Sequence, residues 1–373
     1  MDRQYDFVEL LLAEKDFHAA FDLLQSLVDR VPNWAWGWYK LGEVAHVLGR
    51  MDVAQTSWER VIALDDTDPY GAGAMLNLMG VRDDDQMPAH FIETLFDQYA
   101  DRFDTSLVQK LEYTVPERLG LAVSELHPDR FKATLDLGCG TGLAGAVFRP
   151  VSDHLSGVDL SQGMLRQAQK RGIYDTLSKA DVLQLPLLDR PVFDLVIAAD
   201  VFIYLGALDT TVAWVFAALQ ENGIFAFTVE STQDHDAFAL RPTRRYAHSR
   251  HYVENVLFHS GFAILTLTET VLRKDRGEDV LGYLVIAQKT EAIRDRTDGI
   301  DTFTPTIRSA RRSILKKKAS DIQRPFCYFR HILAAVVQRI FDWVWHHFVG
   351  LVFFCFQTDI GFDLIFCENV ARQ

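Results

Sequence analysis

Cysteine is scarce in this chain of 373 residues: four occur, Cys139, Cys327, Cys355 and Cys367, and no two stand in a C-x-x-C pair. That spacing gives no disulfide framework and no zinc knuckle, and no histidine and carboxylate set has metal-ligand spacing, so no metal is expected. Positive charge is also short. A formal net charge of -13 argues against a surface built to neutralise nucleic-acid phosphates. The N-terminal MDRQYDF lacks the basic-then-apolar pattern of a secretory leader, which with the cysteine usage makes the reducing cytoplasm the expected compartment.

What the chain has is apolar residues in quantity, 49% of the total, enough to bury the cores of two domains. Over 1–80 they recur at helical spacing, broken at EKD, VPN and GRMD, which predicts short antiparallel helices. Ala20 and Ala54 lie 34 residues apart, as do Leu24 and Trp58, Leu27 and Val61, and Phe7 and Leu41. This is the tetratricopeptide period, and Trp38, Leu41, Gly42, Ala54 and Trp58 fit that motif. Two repeats and a degenerate third helix near Ala72–Met79 are expected. Such helices either present a concave surface to a protein partner or pack on the domain beside them.

The acidic run RDDDQMP, Arg82–Pro88, reads as a linker with a solvated turn, and helical pattern resumes through residue 130. From Lys132 onward strand-like runs alternate with helix-length segments: ATLDL, HLSGVDL, TLSKADV, FDLVIAAD and GIFAFTVE. Two more, FAILTLTE and VLGYLVIAQ, are joined by the polar VLRKDRGED and should pair as an antiparallel hairpin. The expected fold is α/β, a doubly wound and mostly parallel seven-stranded sheet over 131–290, preceded by the all-α repeats over 1–80 and a linker and helical lid over 81–130.

In such sheets ligands bind outside the carboxyl ends of the strands. There the chain places LDLGCGTGL, with Gly138, Gly140 and Gly142 in a strand-turn-helix context. A dinucleotide fingerprint begun at Gly138 needs glycine at position 143, and Leu143 stands there, so NAD is disfavoured. The strand ends are acidic in series: Asp136, Asp159, Asp181 and Asp200. Asp159, about twenty residues past the turn, is positioned to accept both hydroxyls of a ribose. Asp181, followed by Val182, suits an adenine amino group, and Asp136 with Asp200 would flank a cationic amino-acid tail. A nucleoside joined to such a tail is S-adenosylmethionine.

LDLGCGTG, GVDLS-x-x-M, KAD and FDLVIAADVFIYL together resemble the class I S-adenosylmethionine-dependent methyltransferases over roughly Leu135–Gln288. With HFIETLFDQYADRFD before this core and RRYAHSRHYV after it, the chain is similar to bacterial tetratricopeptide-containing methyltransferases. The resemblance implies S-adenosyl-L-methionine as cofactor, held by Asp136, Gly138, Cys139, Gly140, Gly142, Asp159, Leu160, Met164, Asp181, Val182 and Asp200. It also implies a lid that brings Tyr99 and Phe103 over it.

Methyl transfer from a sulfonium needs position more than covalent participation. An acceptor proton could be removed by His248, Tyr246, Tyr204 or Glu230. Cys139, with no base nearby in sequence, reads as a small apolar residue and not a nucleophile. The competing reading is a tetratricopeptide adaptor whose methyltransferase-like domain senses the cofactor without turnover. Residues 291–373, basic at Arg308–Lys318 and then apolar through ILAAVVQRIFDWVWHHFVGLVFFCF, read as an interfacial anchor, a packing helix or an extension foreign to the family. Membrane association is expected only if that tail is native and exposed.

Overall fold

In the computed structural model the described residues are 2–105, 107, 111–233 and 237–290, so the basic and apolar tail lies outside them. Five helices open the chain: α1 (Asp2–Ala13), α2 (Phe17–Arg30), α3 (Ala35–Val47), α4 (Met51–Leu64) and α5 (Ala72–Leu78). Asp16 caps α2 by accepting the Ala19 amide at 3.1 Å. The residues 34 apart occupy matching core positions: Ala20, Leu24 and Leu27 on α2, and Ala54, Trp58 and Val61 on α4, are all buried. The Phe7 and Leu41 pair does not match, since Phe7 is 52% exposed and Leu41 fully buried. At Gly42 a Cβ would come within 2.4 Å of the Trp58 indole nitrogen, so the missing side chain is what lets α3 and α4 close on that ring.

The run Arg82–Pro88 is not a free solvated turn. Asp83 and Asp85 are exposed and Asp84 pairs with Arg82, but the backbone is docked: Asp84 O accepts Asn77 Nδ2 and the Tyr246 hydroxyl, both at 2.7 Å, and Asp85 O accepts the Gly206 amide at 2.7 Å. Met87 N donates to Tyr204 O at 3.0 Å. Backbone groups of an apolar contact must find partners, and these come from α5 and from the sheet domain. Two helices follow, α6 (Ala89–Tyr99) and α7 (Val115–Leu126).

The sheet contains β1 (Phe131–Leu137), β2 (Ser152–Asp159), β3 (Thr176–Lys179), β4 (Phe193–Ala198), β5 (Leu219–Ser231), β6 (Phe238–Leu240), β7 (Tyr246–His248), β8 (Phe262–Asp275) and β9 (Glu278–Lys289). The order β3-β2-β1-β4-β5 is parallel, β9 then pairs antiparallel with β5, and β8 with β9. These are the seven expected strands, including the terminal hairpin. The short β6 and β7 are additional. Glu230 of β5 pairs with Gly282 of β9 on one edge and with Ala247 of β7 on the other, so β7 continues the edge that β4 leaves after Phe227.

Both faces of the sheet are covered, which is why β4 and β5 read as unbroken apolar runs. Leu195, Ile197, Ile224 and Ala226 pack under α7 and α8 (Leu143–Phe148). Val196, Ala198, Phe225 and Phe227 pack under α10 (Asp209–Ala218) and α11 (Arg250–Ser260). The crossover from β2 to β3 carries α9 (Gln162–Arg171). One expected helix is missing: residues 180–192, between β3 and β4, form turns. QLPLLDRP carries two prolines within seven residues, which removes the backbone donors and the φ freedom that a helix needs.

Candidate functional site

The carboxyl ends of the central strands surround a cavity of about 610 Å³, a size usual for small-molecule sites. Asp136, Gly138, Cys139, Gly140 and Asp159 line it, as do Leu160, Met164, Asp181, Val182 and Asp200. Tyr99, Phe103 and Tyr204 line it as well. Gly142 does not. It caps α8 in the left-handed region at φ +95°, and its Cα faces Tyr174 and Arg171.

Each carboxylate has a defined partner. Oδ2 of Asp159 accepts the Gly140 amide and Oδ1 the Ser161 amide, both at 2.8 Å. Burial raises its pKa to about 6, against the pull of those amides. Asp136 accepts the Tyr174 hydroxyl at 2.7 Å, and burial lifts its pKa to about 7. Asp181, in the turn beyond β3, accepts the Leu183 amide at 2.9 Å. Asp200 is held differently. Its backbone is left-handed at φ +63°, and both carboxylate oxygens accept Nη1 of Arg273, at 2.7 and 2.6 Å.

Arg273 sits on β8 just after a register shift between Val271 and Arg273, and both it and the preceding Leu272 are buried. A bulge of this kind redirects a side chain inward. Burial works against the charge on Arg273, but Asp200 and Glu230, to which Nη2 donates, more than offset it and raise its pKa. Glu230 is consumed in this pair, and burial raises its own pKa.

Three of the four expected proton acceptors do not line the cavity, Glu230 among them. His248 and Tyr246 are the other two. They belong to strand β7 and not to the start of a helix; Ser249 begins the helix by capping α11. His248 is fully buried, its Nε2 is 3.0 Å from Gly206 O, and burial lowers its pKa to about 4. The imidazole is therefore neutral, and the bond to a carbonyl makes Nε2 the protonated nitrogen. Tyr246 donates to Asp84 O and is a strut between the acidic run and the sheet. Cys139 is buried, and burial pushes its thiol well above the ordinary value, as an inert apolar residue requires.

The segment FDQYADRFD closes one side of the cavity, with Phe103 edge-on to both Phe96 and Tyr99. Its acidic residues fasten it. Asp97 accepts the Gly163 amide at 2.7 Å and the Ser161 hydroxyl, Asp101 accepts Gln167 and Asp104 accepts Thr141 and Arg171. Asp97, Asp101 and Asp104 stand at i, i+4 and i+7, so one helical face of carboxylates was present in the sequence as a signal. Tyr174, Tyr113, Arg245 and Arg273, which the sequence reading passed over, carried none: each belongs to the site only through the fold.

With this geometry in place, the comparisons with known proteins are specific. Residues 135–227 match the family described as methyltransferase domain. They carry a class I S-adenosylmethionine-dependent methyltransferase domain. A malonyl-[acyl-carrier protein] O-methyltransferase of Geobacter sulfurreducens is 38% identical over 26% of this chain and 37% of its own length. Methyltransferase-like protein 27 of Homo sapiens is 41% identical over 25% of this chain and 38% of its own. The chain thus spans well under half the length of these curated relatives. The solved structure of an S-adenosylmethionine-dependent methyltransferase from Clostridium acetobutylicum aligns with 53% of this chain and 100% of its own at 20% identity and a TM-score of 0.40.

The cavity of this methyltransferase domain fits S-adenosylmethionine. At Gly140, φ +55°, a Cβ would meet nothing nearer than Phe103 Cε1 at 4.0 Å, so the glycine turn leaves open room on its cavity side. Buried carboxylates at the ends of β1 and β2, with further acceptor capacity beyond their present bonds, suit a ligand rich in hydroxyl and amino donors.

Proposed function

We propose that this chain transfers a methyl group from S-adenosylmethionine to an acceptor still to be identified. The observation that carries the reading is the methyltransferase-domain match over 135–227, whose glycine turn and strand-end carboxylates open onto one cavity. In this reading Asp159 accepts the ribose hydroxyls, Gly138 and Gly140 leave room for the ligand to approach the backbone, and Asp181 and Val182 face the adenine. Asp136 and Asp200 lie toward the amino-acid end. When bound, the cofactor supplies the electrophilic carbon.

The chain's own contribution is alignment and exclusion of water, which can remove about 7–11 kcal/mol from a bimolecular barrier. The lid residues Tyr99 and Phe103 close over the cavity. Tyr204 is the remaining hydroxyl among the candidate proton-handling groups. Burial raises its pKa while Arg245 draws it back, so at neutral pH it acts as a hydrogen-bond donor to the acceptor and not as a base.

We further propose that 1–80 is a pair of tetratricopeptide repeats, supported by the shared core positions of α2 and α4. They contact the sheet domain directly, since Arg244 donates to the Tyr39 hydroxyl at 3.1 Å. This favours packing on the neighbouring domain as at least part of their role. No helix among the described residues is long and apolar enough to cross a membrane, and a cytoplasmic site of action is proposed. The test is calorimetric titration of the full chain with S-adenosylmethionine and S-adenosylhomocysteine, followed by a screen for S-adenosylhomocysteine release with candidate acceptors. Binding without release for any acceptor would favour the sensing adaptor.

A further inference from the structure

The cavity lining includes the guanidinium of Arg245, and its surroundings point to the chemistry of the acceptor. Of the six ionisable aspartate and arginine side chains lining the cavity among the described residues, Asp136, Asp159, Asp181 and Asp200 each accept hydrogen bonds from the protein. Arg273 is enclosed by Asp200 and Glu230, with its charge matched twice over. Arg245 is held more lightly. Its Nη1 hydrogen-bonds Asp275 at 3.1 Å, the guanidinium also hydrogen-bonds the Tyr204 side chain, and its side chain keeps 24% of its exposure.

The backbone that carries Arg245 is fixed in place. The turn between β6 and β7 closes with Arg241 N to Arg245 O at 2.9 Å and Arg244 N to Arg241 O at 2.8 Å, with Arg244 left-handed at φ +58°. Neighbouring residues are tied to the helical region, Arg244 to Tyr39 and Tyr246 to Asp84. Arg244 therefore points toward the helices while Arg245 lines the cavity. Its neighbours along the cavity wall include Met87, Tyr204 and Leu205. In such a partly apolar wall a guanidinium with unused donors is a strong site for a planar anion.

We propose that Arg245 is the specificity-determining residue for the methyl acceptor and that the acceptor is a carboxylate-bearing small molecule or appended group. This rests on the methyltransferase reading. The carboxylate takes the donors that Asp275 and Tyr204 leave, and the Tyr204 hydroxyl, accepting from Arg245, donates to the same group or to the atom that receives the methyl. A single partly neutralised guanidinium matches a monoanion better than a phosphate dianion, and it repels an ammonium acceptor.

The test uses the full chain loaded with S-adenosylhomocysteine. Thermal shift and calorimetry are recorded with the monoanions benzoate, 4-hydroxybenzoate and acetate, each against its neutral amide, for the wild type and for Arg245→Gln. Carboxylates are expected to bind and the amides not, and Arg245→Gln is expected to weaken carboxylate binding about tenfold or more. Arg245→Gln should leave S-adenosylhomocysteine affinity within a factor of about two. Failure of all three carboxylates to bind, equal binding of the amides, or full retention of binding by Arg245→Gln would overturn the proposal. Inorganic phosphate binding more tightly than the carboxylates would overturn it also. If the wild type does not bind S-adenosylhomocysteine, the methyltransferase reading itself fails, and the two failures are distinct.

Discussion

The backbone amide of Gly140 donates to Oδ2 of Asp159 at 2.8 Å, so the glycine turn after β1 and the carboxylate that ends β2 form one unit. Asp159 then has two duties: it shapes the turn and offers its remaining lone pairs to the cavity. Replacing it with alanine removes both. We expect Asp159→Ala to stay folded and to lose about 1.5–3 kcal/mol of S-adenosylmethionine affinity, roughly one to two decades. Calorimetry giving an unchanged affinity would remove Asp159 from the binding site.

The same carboxylate makes binding pH-dependent. An ionised Asp159 accepts hydroxyl donors, and its pKa in the folded chain is about 6. Ligand binding that prefers the ionised form weakens as protons occupy it, so S-adenosylhomocysteine affinity should fall as pH drops through about 7, where Asp136 titrates, and further through about 6, where Asp159 does. Titrations across that range that show no decline would mean that the carboxylate does not accept from the ligand.

Two glycines of the turn should respond differently to a side chain. At Gly140 a Cβ meets only Phe103, at 4.0 Å, whereas at Gly138 it would come within 2.6 Å of Val201. Gly140→Val should lose stability through the strain of its positive φ alone, less than Gly138→Val, and bind cofactor more weakly than Asp159→Ala. Gly138→Val should lose stability first. Equal melting temperatures for the two variants would contradict the packing described at Val201.

Much of this arrangement was legible from residues alone, and the exceptions have physical causes. The strand ends and the glycine turn announce themselves because local period and local turn chemistry encode them. Arg273 does not: it lies in what reads as a polar connector, and only a bulge in β8 turns it toward Asp200. His248 misled for a related reason. His248 is a candidate by residue type alone, but β5 outruns β4 and leaves an edge that Tyr246–His248 fills. Tertiary pairing overrode local pattern there, and it carried the imidazole away from the cavity.

The buried imidazole should show itself in stability instead of catalysis. An unfolded histidine titrates near 6.5, while His248 in the folded chain does so at about 4. Below pH 6.5 the unfolded state binds the extra proton, so this residue's contribution is lost progressively between about 6.5 and 4. Asp136 and Asp159 act oppositely, because their raised folded values, about 7 and about 6, make the folded state the better proton binder as pH falls. Comparison with His248→Gln isolates the imidazole. The variant should be less stable than wild type at pH 7, with the gap in melting temperature narrowing toward pH 4.5. A gap that stays constant would mean His248 titrates normally.

A chain ending at Thr290 should fold and bind cofactor like the full chain. Its last described residues already close the sheet: Lys289 pairs with Phe262 across β8 and β9, and Lys289 Nζ donates to Leu219 O at 2.8 Å. Thr290 itself donates to Gly261 O through both its amide, at 3.3 Å, and its hydroxyl, at 2.7 Å. Helices α7 and α8 cover one face, α10 and α11 the other, and every cavity-lining residue precedes the cut. A doubly covered sheet has no remaining apolar face that requires another helix. The shortened protein should give a cooperative melt within a few degrees of the full chain and the same S-adenosylhomocysteine affinity. Aggregation or a non-cooperative melt, with the full chain monomeric under the same conditions, would mean that residues beyond 290 complete the core.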